Sequence, residues 1–137
     1  MHLIRDVYLD IALACVGIAY ALHEWRGVPL QTLGLLLACI SLALWIKAGH
    51  DLGDAFAVLP RASKLVEVGL YRRLRHPIYL FSTLTLIGIA VALQVPVLYY
   101  FILLVVLAQI IRARTEEKVL GKRFGSAYAE YKSRTWF

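Results

Sequence analysis

Charge is scarce in this chain. Only 18% of its 137 residues are Asp, Glu, Lys or Arg, and 61% are hydrophobic. Soluble domains carry about 25% charged residues. A domain this small has too little interior to hide so much apolar surface from water. An ordinary soluble enzyme is therefore excluded, and so is a disordered chain. Cysteine is scarce as well: Cys15 and Cys39 both sit inside apolar runs, with no CxxC pair and no metal-ligand spacing. They are expected to be small packing residues without a disulfide. No glycine-rich phosphate cradle occurs. His50-Asp51 with Asp54 fits neither a zinc nor a calcium spacing, so a polar loop and no metal are expected there. The first apolar run holds Asp10 and lacks a small-residue exit site, which reads as a retained span, not a cleaved signal. Acidic residues are outnumbered, nine against fifteen basic, for a formal charge of +6. In a soluble chain that excess points to nucleic acid. Here the basic residues flank apolar runs, so anionic lipid headgroups account for them and no nucleic-acid partner is expected.

Four apolar runs fill most of the sequence, at about 7–23, 30–48, 78–93 and 97–111. Spans of about 20 residues cross a bilayer, so the expected fold is all-α: an integral membrane four-helix bundle, one transmembrane domain over residues 1–137. Pro77 stands where a helix tolerates proline, at its first position. Gln94-Val95-Pro96 leaves room only for a tight reversal, which makes runs three and four an antiparallel hairpin. The 49–75 connection, with Gly49, Gly53, Pro60 and Gly69, is expected to be irregular with at most one short helix. In the 112–137 tail, Leu120, Phe124, Tyr128 and Tyr131 recur at helical spacing, suggesting an amphipathic segment on the membrane face with a break near Phe124-Gly125. Fourteen of the fifteen Lys and Arg fall in the N-terminus, the 47–77 region and the tail, and only Arg26 falls outside them. The positive-inside rule then puts both termini and the long loop in the cytoplasm.

Two features carry chemistry. If the fourth helix continues past Ile111, then Gln109, Arg112 and Glu116 share one face. Arg112 and Glu116 are then either a solvated helix end, paired in the weaker i, i+4 orientation, or a cation and an anion side by side at the mouth of a bundle, able to hold a zwitterion. The second feature is the string from Leu65 to Tyr79, LVEVGLYRRLRHPIY, which brings Arg75-His76-Pro77 to the point where the chain enters the membrane.

Taken together, Leu65-Val66, Gly69, Tyr71, Arg75-His76-Pro77, Tyr79, Glu116-Glu117, Phe124-Gly125 and Tyr128, with Tyr131 after it, form an ordered pattern around a helical hairpin. The chain in this respect resembles the isoprenylcysteine carboxyl methyltransferase family and its relatives, the small membrane phospholipid methyltransferases, over about residues 52 to 134. The resemblance implies a membrane enzyme that uses S-adenosylmethionine on a lipid-like acceptor, either a prenylcysteine carboxylate or a phospholipid amine. It implies cofactor contacts from Lys64, Leu65, Val66, Tyr71, His76, Pro77, Ile78, Tyr79 and Glu116. It places Arg112, with Arg114 as a competitor, on the acceptor's carboxylate. Glu117 or His76 is the base that an amine acceptor needs. The pattern departs from the family at Leu80-Phe81-Ser82, where a small residue, commonly Gly, is usual; Phe81 is expected to narrow the pocket. The shortness of the chain is compatible with a homo-oligomer that completes the pocket. Two other functions are weighed: a nicotinamide-dependent membrane reductase of related architecture, and a non-catalytic membrane scaffold.

Overall fold

The computed structural model describes residues 2–56, 65 and 67–136. Those residues are helical almost throughout: α1 (His2–His23), α2 (Pro29–Phe56), a 3-10 turn (Gly69–Arg72), α3 (Pro77–Leu93), α4 (Val97–Phe124) and α5 (Ser126–Arg134). Two helical stretches, Pro29–Leu52 and Val97–Phe124, are long and apolar enough to cross a membrane. The apolar helices Val7–His23 and Pro77–Leu93 are shorter. At 1.5 Å per residue, a 17-residue helix such as α3 reaches about 25 Å, a little less than a bilayer's hydrocarbon core.

The helix ends follow local chemistry. Pro77 opens α3 at the position where its missing N–H costs nothing. Gln94 closes α3 in the left-handed region, φ 56°, and donates its N–H to the Ala90 carbonyl before the reversal into α4. At the start of α2, the Gln31 side chain accepts the Arg26 N–H and Trp25 Nε1 donates to Thr32 Oγ1, which ties the first turn down. Gly125, φ 52°, separates α4 from α5 at the expected break.

Three expectations are corrected. The helix of the second run does not stop at Ala48 but continues through Gly49 and Asp51 to Phe56, so the connection begins later than composition suggested. The tail's aromatic stripe does not face outward: Tyr128 and Tyr131 are buried within the protein. Cys15 and Cys39 lie on exposed helix faces instead of in the packing.

The densest contact joins α2 and α3. Small residues recur along both facing surfaces: Gly34, Ala38 and Ser41 on α2, and Thr85, Gly88 and Ala92 on α3. Lipid tails are as apolar as leucine, so helices in a membrane gain most from backbone approach across small residues. Here the approach is close. A Cβ on Gly88 would stand 2.5 Å from the Ala38 nitrogen, and one on Gly34 would stand 2.5 Å from the Ala92 nitrogen. Thr85 buries its hydroxyl in the seam by donating to the Phe81 carbonyl at 2.8 Å. α1 covers one side with Ala14, Ile18 and Ala21, which join Leu35, Trp45, Phe81 and Ile89 in one cluster.

Gly88→Ala should therefore force α2 and α3 apart and lower stability by about 1–3 kcal/mol, the usual range for overpacking. Gly17→Ala, whose Cβ would meet side-chain atoms of Ile89 and no backbone, the nearest at 3.2 Å, should cost much less. Thermal unfolding of the two variants in the same detergent checks the difference.

Candidate functional site

The site is built on the α3–α4 seam at the end where the loop enters α3. α4 does continue past Ile111 without interruption, so Gln109, Arg112 and Glu116 lie on one face. From the other side, His76 caps α3 and Tyr79 follows in its first turn. The Tyr79 hydroxyl donates to Glu116 Oε1 at 2.5 Å, a charge-assisted bond at the short end of its range. The buried His76 ring stacks on Tyr79, centroids 5.7 Å apart and planes at 22°. Its Nδ1 lies 3.8 Å from Glu116 Oε2 and its Nε2 lies 3.6 Å from Glu117 Oε1. One imidazole thus stands between two carboxylates.

The two carboxylates differ in their surroundings. Glu117 is ringed by basic groups: Lys132 Nζ of α5 at 2.9 Å, Arg75 Nε at 3.4 Å and His76. Glu116 has a side chain 46% exposed and bonds Tyr79 with one oxygen, so it keeps acceptor capacity toward solvent. Arg112, one turn earlier, is exposed and makes no hydrogen bond or ion pair among the described residues. The cation and anion therefore do not pair with each other, which removes the solvated-pair reading of this helix end.

Burial pushes the His76 pKa below its ordinary value of 6.5, against the opposing pull of Glu116 and Glu117. The imidazole is neutral at neutral pH and offers one donor and one acceptor nitrogen. Tyr71, buried in the 3-10 turn, is pushed well above the ordinary tyrosine range, first by burial and then by the neighbouring Tyr131, Glu116 and Tyr79. It therefore belongs to the same cluster as a neutral phenol.

Other residues hold the loop in place. Tyr131 of α5 donates its hydroxyl to the Tyr71 carbonyl at 2.8 Å. Trp136 pairs through its backbone with Arg73 and Arg75, and Arg134 reaches Glu67 at 3.0 Å. On the α2 side, Asp51 accepts the Leu70 N–H at 2.9 Å and pairs with Lys47. Gly69 lies against this carboxylate at φ 55°, where any side chain would overlap Asp51. Asp51 was legible only as a polar loop residue; its neighbour 19 positions away in sequence gives it a structural role.

Of the residues expected at the site, Tyr71, His76, Tyr79 and Glu116 come together, with Glu117 behind His76 and Arg112 beside them. Pro77 is fully buried at the head of α3, and Ile78 packs on the core cluster. Leu65 is half-buried. Lys64 and Val66 lie outside the described residues. Phe81 does not narrow the site. It repeats with Thr85, Gly88 and Ala92 at steps of four, three and four, the face turned to α2, and packs in the core cluster. The unforeseen members are Ser82 and Thr83, which both bond Gln109.

The phospholipid methyltransferase family model matches residues 22–127, which takes in both halves of this seam. The chain belongs to that family. No curated protein and no solved structure matches it. A phospholipid methyltransferase is a membrane enzyme acting on lipid, which suits a chain with two helices able to cross a bilayer. Methyl transfer is an in-line displacement, and what a protein adds is alignment and exclusion of water.

His76 gives a pH dependence. Its pKa is depressed by folding, so below about 6.5 the unfolded chain binds a proton that the native state resists, and stability falls with falling pH. His76→Asn should flatten that loss. Melting temperatures of the two proteins between about pH 7.5 and about pH 5.5 should converge toward the acid end; parallel curves would show that His76 does not titrate in this way.

Proposed function

We propose that this protein is an S-adenosylmethionine-dependent methyltransferase whose acceptor is the amine of a phospholipid headgroup. The observation that carries the reading is the Tyr79–Glu116 hydrogen bond with His76 against both carboxylates, because it joins the two segments that make up the family pattern. The donor set suits the cofactor's chemistry. Glu116, its side chain 46% exposed, can accept from an amino group or ribose hydroxyls, and Tyr79 offers an aromatic face to a sulfonium or adenine, with Tyr71 buried beside the cluster. Lys64, Leu65, Val66, Pro77 and Ile78 would complete that pocket. The bound cofactor supplies an electrophilic methyl group.

The protein's own part is positional and protolytic. Arg112 stands where the apolar part of α4 ends, exposed and unpaired among the described residues, and suits an anion carried at the headgroup level. A protonated headgroup amine must lose a proton before its nitrogen can attack. His76, neutral through burial, can take that proton, and Glu117 stabilises the imidazolium from 3.6 Å. A prenylcysteine carboxylate would need no such base, which is why the amine is preferred. We further infer one domain of four spans with both termini cytoplasmic, on the strength of the Lys and Arg distribution. This puts α5 and the 67–76 loop on the side where soluble cofactor is found. Neither the nicotinamide reductase nor the scaffold draws support: Phe81, the reason for the scaffold, belongs to the core.

Calorimetric titration of detergent-purified protein should give saturable binding of S-adenosylmethionine and none of NADPH. Glu116→Gln should weaken binding about 10-fold or more, equivalent to about 1.4 kcal/mol, without loss of helicity. Arg112→Ala should instead raise the KM for the lipid in a labelled-methyl assay over amine and carboxylate acceptors. Binding of NADPH alone, or methyl incorporation only into carboxylates, would overturn the assignment.

A further inference from the structure

α4 is poorly packed for a helix that carries half of a site. Its buried residues are Ile102 and Ala113, while Tyr99, Phe101, Leu103, Leu104, Leu107 and Ile111 are exposed. What reaches across to α3 is mostly polar. At the cytoplasmic end Glu117 meets His76 and Arg75, and Glu116 meets Tyr79. Two turns deeper, Gln109 Oε1 accepts from Thr83 Oγ1 at 2.6 Å, and Gln109 Nε2 donates to Ser82 Oγ at 3.0 Å. Ser82 in turn donates to the Tyr79 carbonyl at 3.1 Å. The pairs descend in antiparallel register from the reversal at 94–96, and the Gln109 cluster is the member inside the apolar run.

That position matters for two reasons. A side-chain amide in hydrocarbon is costly unless its donors and acceptors are matched. Sliding or rotating α4 by one residue would strip Gln109 of both partners. The cluster is also wired to the site, since Ser82 touches the backbone of Tyr79, and Gln109 lies seven residues from Glu116 on the same face.

We propose that Gln109 is a positioning residue: by engaging Ser82 and Thr83 it fixes the register of α4 on α3 and so holds Glu116 against the Tyr79 hydroxyl. This rests on the Tyr79–Glu116 pair being the cofactor site. Gln109 touches neither member of that pair, and it acts through the helix that bears Glu116.

The test compares Gln109→Leu, Gln109→Glu and Tyr79→Phe, singly and combined, in the full-length protein. Gln109→Leu keeps the bulk and removes the amide. It should weaken S-adenosylmethionine binding about 5- to 10-fold, and should do so much less in a Tyr79→Phe background, because the effect runs through that hydroxyl. Gln109→Glu, protonated at that depth, retains an acceptor for Thr83 and a donor for Ser82 and should restore most of the affinity. Amide hydrogen exchange without cofactor gives an independent readout. Exchange over residues 109–124 should quicken in Gln109→Leu, leave α2 unchanged and recover in Gln109→Glu. Additive losses in the double variant, or unaltered exchange in α4, would overturn the proposal. A wild-type protein that binds no S-adenosylmethionine would count against the proposed function, and the exchange arm would still decide the role of Gln109.

Discussion

The approach of α2 to α3 is the constraint on which the other contacts depend. At Gly34, Ala38, Gly88 and Ala92 the two backbones are so near that no Cβ fits at either glycine. Such contact cannot slide or rotate gradually, because each small residue is opposed by backbone of its partner. Close packing of this kind behaves as a rigid body. Everything that bears on the site is then placed relative to that body: Pro77 starts α3, His76 caps it, and Tyr79 and Ser82 leave its opposite side.

Attachment to that rigid pair is achieved in two different ways. The loop before α3 is pinned from several directions by Asp51 at Leu70, Tyr131 at Tyr71, Trp136 at Arg73 and Arg75, and Glu117 at Arg75. Most of these are single hydrogen bonds, worth about 0.5–1.5 kcal/mol each, and they act jointly on a short segment. α4 is attached by a line of polar pairs with little burial. Hydrogen bonds and ion pairs have directional requirements that apolar contacts lack, so this helix is held less by area than by register.

Much of this was legible in the sequence because it depends on local rules. Apolar runs, the proline at the head of α3, the Gln94-Val95-Pro96 reversal and the break at Gly125 are each decided by a few neighbouring residues. The ordered RHP, paired-Glu and FG pattern marked the two segments that the fold brings together in the candidate site for the same reason. What escaped depends on tertiary partners. The helical continuation through Gly49 to Phe56 overrides glycine's weak propensity, with Lys47 and Asp51 paired along the way. Tyr128 and Tyr131 formed a stripe that fits a membrane face and a protein interior equally well; only the loop opposite decides between them. Phe81 was placed by its position in the motif, whereas the period of the small residues around it puts it on the α2 face. Ser82 and Thr83 gave no signal by themselves, since hydroxyls inside a helix usually bond their own backbone.

Charge completes the account of why the site is arranged as it is. Arg75, His76 and Lys132 all converge on Glu117, so that carboxylate is matched within the protein. Glu116 and Arg112 are left outward, adjacent on one helix face yet unpaired with each other. A helix end adapted only for stability would join them, as the i, i+4 spacing allows. Keeping them apart leaves an exposed cation beside a carboxylate that is half exposed and bonded on one oxygen to Tyr79, so both charges remain accessible to a ligand at a membrane boundary. The reaction class of the family asks for that division. On the proposed function, a positively charged methyl donor would sit beside the carboxylate and an anionic lipid headgroup beside the guanidinium. For that reading to hold, the helix that displays both must be held in register so that the two can meet in line.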